Sequence, residues 1–482
     1  MRLETLILIA SAAFVAATPS GAQNCPGAVR DLSSEVDVFK YLENTQEQIY
    51  EGNPRLRGDP NLREQLRRPE SIKALKNLFS RLSNIGCDQI NPNDGCLIDG
   101  EVTEEVMHSL LCEPLPTKYE SPLTFLLAKL LVNKLRPATK AIFPDLKLVQ
   151  FGTLPTPTIQ AQALVPEGFS EPIIILNRDL FLLAGLFTKS VAAAIPVANE
   201  NDHISFSYNR EEIRTHLRQN PWIMSDFAEA LFRLVVRQSL SGVHSTFLDK
   251  DRYILQSGLF FGLGTFIIGH ELGHIILKHT GKSTRYVFSP ERATSKEQAG
   301  KTVDVTILNY AKDDELQADE VALRLSLASS LRQGLTPVAL LDAAIGAAGA
   351  DLFFAVVDLG DKYAALLGLP PLHGGAHPPA AKRSDNLDKV LASPDLAKIE
   401  LGQMPDFRLL TRNALSVLAE ETEPALTKAI QEYKRSRDEP PPADNGLLSS
   451  ADKEALELAI ARSLLEAIEA DLRRPQRLDN QR

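Results

Sequence analysis

The chain has 482 residues, 44% of them hydrophobic and 24% charged, with a formal net charge of −10. This mix excludes wholesale disorder, the length predicts two or three domains, and the acidic balance removes any general basis for binding nucleic acid or an anionic membrane. The composition fits a soluble globular enzyme.

Residues 1–22 read as a secretory signal peptide: Arg2, an apolar stretch from Leu6 to Ala17, then Ser20-Gly21-Ala22, small residues suited to cleavage after Ala22. Export to the periplasm or beyond is expected. Ala22-Gln23-Asn24 before Cys25 does not resemble a lipoprotein box, so no lipid anchor is expected. All four cysteines, Cys25, Cys87, Cys96 and Cys112, fall in the first quarter, and an even count in an exported chain predicts disulfides. Three pairings are open, with Cys87 and Cys96 bracketing an Asn91-Pro92-Asn93-Asp94-Gly95 turn. No CxxC pair marks a zinc site, and the acids around that turn lack the alternation a calcium loop needs.

From Asp31 to Leu82 the pattern is helical and charged, broken at Asn53-Pro54 and Asp59-Pro60, and its arginines, Arg55, Arg57, Arg63, Arg67 and Arg68, read as a solvated face. After Pro122 a helix runs to about Leu135. Leu148–Phe151, Ile159–Val165 and Ile173–Leu176 follow as short strands between Gly and Pro turns. The middle one alternates, with Ile159, Ala161, Ala163 and Val165 on one face. At a cleft edge such a strand would offer backbone groups to an extended peptide. Asn177-Arg178-Asp179 caps a helix over Leu180–Ala194, Asn199–Gln219 reads as a polar insertion, and a further helix spans about Trp222 to Leu240.

The next apolar run carries His270-Glu271-Leu272-Gly273-His274, an HExxH pattern. Residues four apart on a helix differ by about 40° in azimuth and about 6 Å in rise, so His270 and His274 point at one ion. Glu271 lies about 100° further round, placed to act as a general base on a water rather than as a ligand. Only 17 residues separate Arg252 from His270, and Gln256, Ser257 and glycines interrupt them, short of the roughly 20 apolar residues of a span. With Asp342 and Asp351 in the later apolar stretch Val338–Val357, no transmembrane segment is expected in the mature chain. Lys278 and His279 followed by Gly281 read as the helix's cation-then-glycine ending, and 282–302 as a polar loop beside the cleft.

Catalytic zinc takes three protein ligands and keeps a position for water. Glu315 and Asp319, four apart in Asp313-Asp314-Glu315-Leu316-Gln317-Ala318-Asp319, share a helix face. The oxygen of Glu315 completes a His2Glu set, and Asp319 can accept the free N–H of a ligating imidazole. Downstream, Leu372-His373-Gly374-Gly375-Ala376-His377 is a glycine segment carrying two histidines, of which His377 can bring an N–H toward developing negative charge and His373 reads as incidental. The stretch 401–482 is helical, broken at Glu439-Pro440-Pro441-Pro442, and closes on a Leu456, Ile460, Leu464, Ile468, Leu472 stripe suited to docking on the rest of the chain or a partner.

HELGH at 270–274 followed by ELQAD at 315–319, with His377-Pro378-Pro379 and Arg383 beyond, resembles the gluzincin family of CAAX prenyl endopeptidases, heat-shock membrane proteases and periplasmic outer-membrane-quality proteases, over roughly residues 140–395. The resemblance implies one zinc per chain on His270, His274 and Glu315, with Glu271 as base, Asp319 behind the ligands, and His377 with Arg383 facing the substrate. Two features depart from the family. Thr158–Val165 lacks its Asn-Ala-aromatic strand signature, and many members are embedded in membranes. A metzincin is excluded, since its third histidine would stand where Thr280 does and its glycine where Leu277 does.

The expected fold is α+β: a helix-rich zincin-like metalloprotease domain with a small sheet over 121–400, a cysteine-containing helical region over 23–120, and a helical C-terminal region over 401–482. The expected function is an exported zinc endopeptidase acting on protein or peptide substrates. The alternative is a periplasmic chaperone or scaffold whose metal site is structural or held inactive. Glu271 argues against that alternative, because a structural site has no use for a base.

Overall fold

A computed structural model of the chain describes residues 38–52, 66–73, 107–146, 149–155, 160–200, 203–237, 240, 243, 248–279, 282–288, 303–369, 377–396 and 404–438. Residues 1–22, expected to be a signal peptide, with Cys25, Cys87, Cys96, His373 and the Leu456–Leu472 stripe, lie outside the described residues. Cys112 lies within them and is disulfide-bonded.

Helix α1 spans Val38–Gly52 and α2 spans Pro122–Ile142. Ser121 caps α2, accepting from the Thr124 amide, and Pro122 sits in the first turn, where a missing N–H costs nothing. Strands β1 (Gln150–Leu154), β2 (Ala161–Leu164) and β3 (Ile173–Asn177) form a sheet of order β1-β3-β2, with β1 parallel and β2 antiparallel to β3. Alternation along β3 serves two cores. Ile173 and Ile175 pack with Val38, Phe39 and Leu42 of α1, while Ile174 and Leu176 join the main helical core. The face expected to be buried on β2 is so at Ala163 only among its described members that are fully covered: Ala161 is half-buried and Val165, one residue past the strand end, is 57% exposed.

Helix α3 (Arg178–Ala194) follows β3 directly, capped by Asn177, which accepts from the Asp179 amide at 2.8 Å. Next come a hairpin of β4 (Val197–Glu200) and β5 (His203–Phe206), α4 (Arg210–Gln219), α5 (Pro221–Arg237) and α6 (Lys250–Ile276). The polar stretch Asn199–Gln219 is therefore an ordered hairpin and helix rather than a bare insertion. A second hairpin, β6 (Lys282–Phe288) and β7 (Val303–Asn309), replaces part of the loop expected over 282–302. The β-branched and aromatic residues of both arms favour strand pairing over coil. Helices α7 (Lys312–Ser330), α8 (Pro337–Leu366), α9 (Ala380–Leu391) and α10 (Met404–Asp438) complete the described chain. Arg210 and Arg214 of α4 pair with Glu420 and Glu421 of α10 at 2.6 and 2.8 Å, fastening the two surfaces together.

Helix α6 lies at the centre, packed on α3, α7 and α8. Its glycines permit the close crossings. A Cβ on Gly262 would stand 2.4 Å from Gly346 Cα of α8, and one on Gly273 would stand 3.0 Å from Ala318 Cα of α7. Neither backbone can yield as a flexible side chain would. Gly262→Ala is therefore expected to destabilise the fold by about 1–3 kcal/mol through overpacking, read as a lower midpoint in denaturant unfolding; an unchanged midpoint would show that α6 and α8 separate freely.

The expectation of no transmembrane segment is corrected here. Asp251–Ile276 and Ala339–Leu366 are both long and apolar enough to cross a membrane. The 17 residues between Arg252 and His270 are only part of the helix, because α6 continues through the HExxH residues to Ile276. Asp342 and Asp351 do not interrupt α8, because each has partners: Asp342 meets Lys134 at 2.9 Å and Asp351 meets Arg408 at 2.6 Å. Within this fold, 83% and 67% of the two apolar windows are buried against other parts of the chain.

Candidate metal centre

The centre forms where α6 crosses α7. Gly269 faces Ala322 and Gly273 faces Ala318, so four small residues bring the two backbones close enough for short side chains to meet between them. Glu315, in the first turn of α7, reaches across to the two imidazoles of α6. The Nε2 atoms of His270 and His274 are 3.1 Å apart, and Glu315 oxygens lie 3.3 Å from the first and 3.7 Å from the second. All three residues are buried.

These separations fit a bound ion. Ligand atoms about 2.1 Å from a tetrahedral zinc stand about 3.4 Å from one another. Two imidazole nitrogens and a carboxylate thus converge on one buried point. Among the described residues this is the one cluster of three or more His, Cys, Asp or Glu side chains arranged for a metal.

Each imidazole is held from behind. His270 Nδ1 lies 2.9 Å from Asp319, which in turn accepts from Arg383 Nε at 2.8 Å and Nη2 at 2.6 Å. Arg383 is only 3% exposed, and its guanidinium stacks on Phe354 at 4.0 Å. It stands behind Asp319 rather than facing an open cleft. Asn386, one turn along α9, donates to the Leu316 carbonyl at 3.1 Å and ties α9 to α7. Ser384 and Arg408 both bond Asp351, so α8 and α10 brace the same helix. His377 meets Glu315 with Nδ1 2.6 Å from Oε2.

Glu271 points elsewhere, as its register requires. One oxygen accepts from the Ala163 amide of β2, while Oε2 is buried without a partner. Burial pushes Glu271 up to about 7 despite the opposing charge on His270. Burial also works against a charge on His270, but Asp319 and Glu315 outweigh it and push the imidazole up to about 10. His274 is driven down to about 2, by burial and then by the neighbouring His270. Burial would raise Glu315, yet His377 and His270 hold it far below the carboxylate range.

Two further neighbours complete the surroundings of His274, Tyr310, which no sequence motif marks, and His279, which the sequence marks only as a cationic helix-end residue. Tyr310, between β7 and α7, stacks on His274 at 3.6 Å between ring centroids and donates its hydroxyl to the Ala163 carbonyl at 2.7 Å. His279 lies against the back of His274. Tyr310 stands five residues before Glu315, a spacing that means nothing until β7 and α7 are placed. With both backbone groups of Ala163 turned toward the centre, β2 runs along it as the edge strand of its sheet.

Residues 264–391 match the sequence model of Peptidase family M48. The matched stretch holds every residue of this centre that lies on α6, α7 and α9. No curated protein and no solved structure matches the chain significantly.

Proposed function

We propose that this chain, a zinc metallopeptidase by the family match of residues 264–391, is an endopeptidase of gluzincin type that hydrolyses protein or peptide substrates with Glu271 as general base. One observation carries the reading: two imidazole nitrogens and a carboxylate converge within 3.1–3.7 Å beside a buried carboxylate that belongs to none of their bonds. His270, His274 and Glu315 would hold one zinc per chain, and when bound the metal supplies Lewis acidity to a carbonyl and acidity to a water.

The rest is done by side chains. Glu271 takes a proton on Oε2 and returns it to the leaving amine, a role served by a carboxylate raised to about 7. The Ala163 amide keeps that carboxylate aimed. Asp319 fixes the tautomer and orientation of His270, and Arg383 acts through Asp319 by holding its charge in a buried site. His377, its Nδ1 held by Glu315, would bring its Nε2–H toward negative charge developing on the carbonyl oxygen. An extended substrate would lie along β2, pairing with backbone groups near Ala163 once the Tyr310 hydroxyl gives way.

A chelator such as 1,10-phenanthroline is expected to remove casein cleavage, and added zinc to restore it. Full cleavage by protein shown to be metal-free would overturn the reading. Export is supported by the pattern of residues 1–22, and a mature chain beginning at Gln23 on N-terminal sequencing is the expected outcome; a retained Met1 in the extracytoplasmic fraction would contradict it.

A further inference from the structure

We propose that His279 is a positioning residue for the metal-facing imidazole of His274, the counterpart of what Asp319 does for His270. This inference rests on the metallopeptidase reading above. The Nε2 atoms of both α6 histidines face the centre, which leaves Nδ1 as the outer nitrogen of each. On His270 that outer nitrogen meets a carboxylate. On His274 it meets His279, with the two Nδ1 atoms 3.0 Å apart.

Only one arrangement of protons serves a ligating His274. Its Nε2 lone pair must be free, so Nδ1 carries the hydrogen and donates it to an unprotonated Nδ1 of His279. The hydrogen of His279 then sits on Nε2, which lies 3.8 Å from Asp314 Oδ1. The side chain of His279 is 7% exposed, too covered for water to take over the acceptor role freely.

The backbone is built to put His279 there. The sequence places the helix end near Gly281, but α6 stops at Ile276, and the left-handed residue is Lys278, with φ 56°, the one non-glycine residue of positive φ among the described residues. The His279 amide bonds the His274 carbonyl at 3.0 Å and the Lys278 amide bonds the Ile275 carbonyl at 3.2 Å, the paired bonds of a Schellman ending. That turn folds the chain back so that the residue five after His274 lies behind its ring. A left-handed lysine is a conformation that other contacts must hold in place. Tyr310, stacked on His274 at 3.6 Å between ring centroids, closes it in from its ring face.

The test compares His279→Leu with His279→Asn on the full mature chain, with His279→Ala beside them, by zinc affinity in competition with a chelating dye and by the visible spectrum of the cobalt-substituted protein. Asn presents a side-chain acceptor near the position of Nδ1, whereas Leu of similar size does not. Expected are roughly 10–100-fold weaker zinc binding in the Leu and Ala variants, with a shifted cobalt spectrum, and recovery to within about threefold of the parent in the Asn variant. If all variants bind zinc like the parent, or if Asn falls as far as Leu, His279 only packs the helix end and the inference is overturned. Should the Ala variant fail to fold, the size-matched pair still decides. A parent that binds no zinc would sink the metallopeptidase reading instead, an outcome distinct from a zinc-loaded parent with indifferent His279 variants.

Discussion

Glu271→Gln is expected to lose at least roughly 10²–10⁴-fold in casein cleavage while keeping its zinc and its fold. The carboxylate belongs to none of the converging ligand bonds, so the metal should not notice the change. Gln can still accept from the Ala163 amide through its carbonyl oxygen, and burying a neutral amide is less costly than burying a charge that already needs its pKa pushed up to about 7. The melting temperature should therefore hold or rise. What disappears is the acceptor for the proton. Cleavage assays, zinc content and complementation of a deletion, run together, separate enzyme from scaffold. Unchanged cleavage would remove Glu271 from the chemistry, and full complementation by a cleavage-dead variant would favour the chaperone or scaffold role.

Glu315→Ala should act on the metal itself. It takes away the only oxygen ligand of the set, leaving His270 and His274 to hold an ion alone, so the loss of affinity should exceed the roughly 10–100-fold typical of an outer partner. Elemental analysis finding full zinc in this variant would exclude Glu315 as a ligand. Asp319→Ala offers a contrast of mechanism. It leaves the three ligand side chains in place but strands Arg383, 3% exposed, without its bidentate partner. Breaking such a buried pair from one side costs about 3–5 kcal/mol, so this variant should show lowered stability in denaturant as well as weaker zinc binding. Equal stability of the Asp319→Ala and parent proteins would mean that Arg383 finds water or another acid.

Local signals were legible where one element decides the outcome. Asn177 caps the helix that its residue type predicts, accepting from the Asp179 amide two residues on. The HExxH spacing sets His270 and His274 on one helical face and Glu271 off it, and the structure keeps that register. The four-residue step from Glu315 to Asp319 likewise survives as one ligand-side and one outer contact. Charge is a poor guide to whether an apolar helix could span a membrane: Asp342 and Asp351 argue against a span in the helical stretch Val338–Val357, yet Ala339–Leu366 is long and apolar enough for one, and ion pairs with Lys134 and Arg408 absorb the two acids.

What the sequence determined by itself is therefore periodic: which residues face together on α6 and α7, because the 3.6-residue turn is a property of one segment and needs no neighbour. Tertiary structure alone decided what those faces meet. The approach of Glu315 to the imidazoles depends on Gly269 and Gly273 lying against Ala322 and Ala318, a fit between surfaces far apart in the chain. The places of Tyr310 on His274, of Arg383 behind Asp319 and of His279 behind His274 depend on how β7, α9 and the end of α6 pack. Lys278 makes the point most sharply. Its side chain disfavours the left-handed backbone it adopts, so no local propensity foretells that turn, and the backbone bonds to His274 and Ile275 together with the contact of His279 on His274 hold it there.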